Sequence, residues 1–170
     1  MRVSLVNTVS DAAHTSANTE TGATFRLIYR SRSLLPDKTD GGDEALAEIL
    51  RVARHNNHNH NVTGALVLYE YRKRFAQVLE GPEAKVQALF ESIRQDPRHD
   101  NVEIRHEGMV SKGVFRRWAM ALVLEHREQD IPLVATTGGV SEASPWRVSA
   151  EQETVLEELR DLTRGYGRAY

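Results

Sequence analysis

The hydrophobic period of this chain changes in a fixed order between residues 25 and 124, and that order restricts the fold more than any other feature. Phe25, Leu27, Tyr29 and Ser31 alternate with Arg26, Ile28, Arg30 and Arg32, the period of two expected of a strand. Leu46, Ile49, Leu50 and Ala53 then recur at helical spacing. They predict an amphipathic helix from near Asp43 that runs into the polar stretch HNNHNHN at 55–61. Thr63 to Tyr71 and Arg74 to Glu80 read as the two strands of a hairpin. Gly81-Pro82 stops the second strand and places Pro in the first turn of another helix. That helix carries Val86, Leu89, Phe90 and Ile93 on one stripe and ends at Asp96-Pro97. Val102 to Met109 and Trp118 to Leu124 predict two more strands across a polar connector. The order is β-α-β-β-α-β with one strand added, an α+β, ferredoxin-like plan. It predicts a mixed five-stranded sheet with two helices on one face.

The rest of the chain is looser. Residues 1–23 are polar, lack a helical period and read as a tail, in which Val3, Leu5, Val6 and Val9 offer at most a marginal strand. Ile131 to Trp146 holds Pro and Gly and is expected to be irregular. Ser149-Ala150-Glu151-Gln152 is a capping-box pattern, and Val155, Leu159 and Leu162 line one side of a C-terminal helix ending before Gly165. The expected division is a tail over 1–23, a folded unit over 24–125, and a loop with helix over 126–170.

Composition narrows the function. With 22 Lys and Arg against 24 Asp and Glu, the net charge is −2, which argues against nucleic acid or an anionic membrane as the main partner. The chain has no cysteine, so disulfides, zinc–thiolate sites, iron–sulfur clusters and cysteine nucleophiles are excluded together. No run approaches the roughly 20 apolar residues that span a bilayer, and Met1 to Ala23 does not read as a secretory signal. A cytoplasmic protein is expected.

Polar groups occupy positions where the pattern calls for apolar ones. Tyr29 shares a strand face with Phe25 and Leu27, Gln77 shares one with Phe75 and Leu79, and Asn56 and Asn57 close the first helix where it meets the sheet. An unsatisfied buried amide costs about 1–3 kcal/mol, so each needs a partner. Tyr29 and Gln77 bonding each other, with asparagines that merely end a helix, is one account. A planar ligand between the two helices, its edge read by Tyr, Gln and Asn, is another. Met120 would complete its wall. Composition and spacing do not choose between them.

Six segments do choose. RLIYRS at 26–31, ILRVARHNN at 49–57, VTGALVLY at 62–69, FAQVLEGP at 75–82, IRQDPRHDNVEI at 93–104 and FRRWAM at 115–120 resemble, in order and spacing, the BLUF family of blue-light sensors. The resemblance covers about residues 24–125. It implies a non-covalently bound flavin, FAD by expectation, with FMN or riboflavin as alternatives. Tyr29 corresponds to the redox-active tyrosine and Gln77 to the switching glutamine. Asn57, with Asn56 beside it, corresponds to the contact with the flavin's pyrimidine edge. Met120 and Trp118 match the pair on the last strand that approaches the glutamine. Arg98 and His99 fall on the ribityl-phosphate side, and Ser31 neighbours the tyrosine. The family's photochemistry implies that Tyr29 gives up an electron and a proton in blue light and that Gln77 is left rotated or tautomerised.

Two departures from the family pattern are visible. The hairpin YEYRKR at 69–74 lacks the usual short Gly-containing turn, and the segment before Thr24 is longer than the family requires. No catalytic segment follows the sensor-like region, so the chain is expected to be no enzyme, to act on a separate protein, and to form homo-oligomers. Two other functions compete. His55, His58 and His60 would suit a metal site or a light-insensitive regulatory module, and the fold also hosts small hydrolases. No nucleophile–base pair or phosphate loop supports the last.

Overall fold

The computed structural model describes residues 23–69, 73–116, 120–123, 133–136, 139–142 and 148–165. Residues 1–22 of the expected tail, residues 70–72 between the expected hairpin strands, and Trp118 lie outside these. Among the described residues, seven strands and three α-helices follow in the order β1 (Thr24–Ser33), α1 (Gly42–His60), β2 (Thr63–Tyr69), β3 (Arg74–Gly81), α2 (Glu83–Arg94), β4 (His99–Val110), β5 (Ala121–Val123), β6 (Leu133–Thr136), β7 (Gly139–Glu142) and α3 (Ala150–Arg164). The first five strands form one sheet in the order β4-β1-β3-β2-β5. All its pairings are antiparallel except β2 with β5. This is the predicted mixed sheet.

The sheet separates two apolar layers. Phe25, Leu27, Tyr29, Phe75 and Leu79 pack with Leu50 of α1 and with Val86 and Phe90 of α2. Ile28, Ala76, Val78 and Phe115 pack on the other face with Val155, Leu156, Leu159 and Leu162 of α3. The alternation of β1 and β3 makes the division, because neighbouring residues of a strand point to opposite faces. The α3 helix opens with the predicted capping box, Ser149 and Gln152 bonding each other's backbone N–H.

Local chemistry sets the joints. Asn61 ends α1 in the left-handed region, at φ 56°, and its N–H bonds the carbonyls of Asn57 and His58. Asparagine tolerates this geometry better than most residues. At Gly64 a Cβ would stand 2.0 Å from the Val78 carbonyl oxygen, so only glycine lets β2 lie this close to β3.

Three boundaries differ from the sequence expectation. β4 starts at His99 rather than Val102, because a bulge with Asn101 at φ 50° lets two more polar residues join the ladder. Pro82 caps α2 rather than opening its first turn, while the helix ends at Arg94, just ahead of the expected Asp96-Pro97 stop. The segment expected to be irregular over 131–146 contains an antiparallel pair, β6 with β7. Its two four-residue strands stand two residues apart around a Thr-Gly pair, a hairpin spacing that the Pro and Gly count obscured. Among the described residues, no helix is long and apolar enough to cross a membrane.

Candidate functional site

Tyr29 of β1 and Gln77 of β3 are direct partners in the antiparallel register, so both side chains leave the sheet on the α1/α2 face. The Tyr29 hydroxyl donates to Gln77 Oε1. That bond fixes the amide, since the carbonyl oxygen must face the phenol. Nε2 then points the other way and donates to Met120 Sδ at 3.3 Å. Met120, immediately before β5, is fully buried. A thioether accepts weakly, so the two ends of the amide are held with unequal strength.

Above this row a cleft of about 240 Å³ opens between α1, α2 and the sheet. Leu66, Phe75 and Leu89 give it apolar walls, and Tyr29, Gln77, Asn56 and Asn57 give it a polar edge. Asn57 is only 1% exposed. Its backbone carbonyl accepts the Val62 N–H at 2.9 Å, which closes α1 onto the start of β2 and holds the residue at the cleft.

Burial pushes the Tyr29 phenol well above its usual range, and the Asp96 carboxylate adds to the shift. The phenol is therefore neutral and keeps a proton to donate. Its ring lies 5.3 Å from that of Phe90 and 6.2 Å from that of His99. His99 Nε2 is 2.6 Å from the Ile93 carbonyl, and Nδ1 is 2.8 Å from Ser31 Oγ. A carbonyl only accepts, so Nε2 carries a proton. In the neutral ring, Nδ1 then accepts from the Ser31 hydroxyl. Arg98 forks onto Asp96, with Nε to Oδ1 at 2.8 Å and Nη2 to Oδ2 at 2.5 Å. The Arg98 hydrogen bonds hold the Asp96 carboxyl below the usual carboxylate range.

The structure thus gathers Tyr29, Asn56, Asn57, Gln77, Arg98 and His99 around one cleft. Met120 touches Gln77 from the far side, and Ser31 is bonded to His99. Two residues of this neighbourhood went unread in the sequence. Asp96 looked like a helix stop, yet it lines the cleft and engages Arg98. Arg54 lies four residues after Leu50 on α1, and its Nε donates to the Met120 carbonyl at 3.2 Å. A charge at an apolar-stripe position was the available signal for it. Among the described residues no three His, Asp or Glu side chains converge to hold a metal ion, and His55 contacts Asn59 at 3.2 Å.

An apolar slot with amides and a phenol along one edge fits a flat heteroaromatic ring bearing both acceptors and donors. Comparison with known proteins points the same way. The profile of the family described as BLUF, sensors of blue-light using FAD, matches residues 24–121. The blue light- and temperature-regulated antirepressor BluF of Escherichia coli is 37% identical over 76 residues, which are 45% of this chain and 17% of that protein. The photoactivated adenylate cyclase subunit alpha of Euglena gracilis is 36% identical over 103 residues, 59% of this chain and 10% of the relative. The chain therefore spans less than a fifth of these relatives' lengths. Among solved structures, BlsA in its photo-activated state is 30% identical at a TM-score of 0.56, covering 62% of this chain and 72% of its own. The dark state of the BLUF protein BlrB is 28% identical at 0.54, covering 62% and 75%.

Proposed function

The chain belongs to the BLUF family of blue-light sensors using FAD, and from that premise we propose that its cleft holds FAD non-covalently and that Tyr29 and Gln77 convert absorbed light into a rearranged hydrogen-bond network. FMN or riboflavin would occupy the same slot. The observation that carries this is the Tyr29–Gln77–Met120 row, a phenol, an amide and a thioether bonded in sequence along the cleft floor. When bound, an oxidised flavin supplies a blue-absorbing chromophore whose excited state accepts electrons.

The protein's own groups do the rest. Tyr29, neutral and buried, gives an electron from its ring and passes its hydroxyl proton to the Gln77 carbonyl it already touches. Return of the electron and proton leaves the Gln77 amide turned or tautomerised. Turning by half a rotation would put Oε1 against Met120 Sδ, two acceptors in contact, so Met120 must shift. Asn57 and Asn56 orient the ring's polar edge. Arg98 serves the ribityl-phosphate side, exchanging Asp96 for the ligand, while His99 and Ser31 brace the wall beside Tyr29. Trp118 is the second residue of the Met120 segment.

We place the flavin-binding unit at 24–125, with 1–23 as a tail and 126–170 as an appended loop and helix. The relatives include an antirepressor and a light-activated cyclase subunit, which supports signalling to an effector. Here we infer a cytoplasmic homo-oligomer that acts on a separate downstream protein and performs no reaction on a substrate. Absorbance spectra of protein purified under dim red light, before and after blue illumination, test the reading. A flavin spectrum with a small, reversible red shift is expected. A bleached flavin band, or no flavin after reconstitution, would overturn it.

A further inference from the structure

Three residues beyond Gln77, on the opposite face of β3, a carboxylate lies 2% exposed in the layer beneath α3. Glu80 does not line the cleft, and four N–H donors reach its two oxygens. Arg26, its cross-strand partner, donates to Oε1 from Nε at 2.8 Å and from Nη2 at 2.6 Å. The backbone N–H groups of Val114 and Phe115 donate to Oε2 at 2.8 and 3.0 Å. Gly113 permits the approach, since a Cβ there would stand 3.0 Å from the same oxygen.

Those two N–H groups belong to the connector between β4 and β5, the segment that leads to Met120. Phe115 is fully buried in the α3 layer, whereas Met120, five residues on, is fully buried in the cleft layer. One short stretch of chain is thus tied to Gln77 at one end and to Glu80 at the other. The Val114 carbonyl accepts from Gln152 Nε2 at 2.9 Å, and Gln152 is the capping-box residue of α3's first turn.

We propose that Glu80 is a positioning residue, which with Gln152 couples displacement of Met120 to the N-terminal turn of α3. The proposal rests on the photochemical role given above to Gln77. When the amide turns and Met120 moves, the connector cannot slide freely, because its far end is pinned by two charge-assisted backbone bonds. The load of the displacement therefore falls on that anchor, and the Val114 carbonyl carries it on to Gln152. That turn of α3 is then the first place outside the cleft layer to register light.

Amide hydrogen exchange of residues 150–155 in the full chain, lit against dark, tests this alongside the absorbance shift. Two variants cut the path at different points. Glu80→Gln removes the charge and gives the connector N–H groups and Arg26 one acceptor oxygen in place of two. Gln152→Glu keeps the capping box, which Glu also completes, but has no donor for the Val114 carbonyl and leaves the buried Glu80 pair intact. Wild type should show a light-dependent change in exchange over 150–155. Both variants should keep the red shift and reduce that change by about threefold or more, the scale on which such networks carry coupling. If both shift red with an α3 response of wild-type size, or if Gln152→Glu loses the red shift itself, the assignment is wrong. Absence of a red shift in wild type would instead overturn the reading of the cleft, so the two failures are distinct.

Discussion

At Tyr29 and Gln77, one hydrogen bond performs two tasks, aligning a proton for transfer and fixing which way an amide faces. Tyr29→Phe and Gln77→Leu should each retain flavin, because ring and side-chain volumes nearly persist, yet neither should form the red-shifted photoproduct under steady blue light. The phenylalanine lacks the proton that must accompany the electron, and the leucine cannot store a changed hydrogen bond. A stable shift of wild-type size in Gln77→Leu would count against the glutamine as switch. Asn57→Ala should weaken flavin binding by about 1–2 kcal/mol, the scale of one buried polar contact, measured by titrating apo-protein. The raised phenol also has a stability signature. Its folded value lies above the unfolded one near 10, so its contribution is whole below pH 10 and declines as pH rises beyond it. Urea midpoints between pH 9 and 11 should therefore fall less steeply in Tyr29→Phe than in wild type. Tyr29, Gln77, Asn56 and Asn57 were legible in the sequence because each places polarity on an apolar face. Asp96 and Arg54 were not, since a carboxylate at a helix stop looks ordinary until the cleft beside it is known, and the charge of Arg54 on the apolar stripe of α1 gains its meaning only with the Met120 carbonyl that it reaches.

Among the elements, strands and helices read well where period and punctuation agree, as in β1, α1 and α2. They failed where tertiary context supplied what sequence did not. The bulge at Asn101 brings His99 and Asp100 into β4, although neither has strand propensity. The short β6 and β7 were hidden by Pro and Gly nearby. β5 pairs in parallel with β2 over Ala121–Val123, inside the run expected at 118–124, of which 118, 119 and 124 lie outside the described residues. The β2–β3 contact makes a sharp test. Gly64→Ala drives a methyl into the Val78 carbonyl, and urea unfolding should show a loss of about 1–3 kcal/mol, the range for overpacking a tight site.

Over the whole molecule, one sheet serves two layers, and α3 is what covers the second. Leu159 is fully buried there. Leu159→Asp would place a carboxylate in that layer without a designed partner, which a protein avoids by exposing it. The expected outcome is a detached α3, seen as rapid proteolysis within 148–165, with flavin binding retained because the cleft lies across the sheet. Loss of flavin together with α3 would show that the layers are not separable. The sequence announced α3 through its capping box and apolar stripe but not its destination, because Leu156 and Arg160 extend the buried surface beyond that stripe.

The alternation along β3 has a bearing on how such a sensor can be rebuilt. Phe75, Gln77 and Leu79 face the layer of α1 and α2, while Ala76, Val78 and Glu80 face the layer of α3. Substitutions in the two sets share few neighbours, and effects at sites without shared partners tend to add. One set can therefore be rewritten for a new output while the other is kept for colour and photocycle. A single strand of eight residues is in this respect a two-sided tape, written on one side for the cleft and on the other for α3.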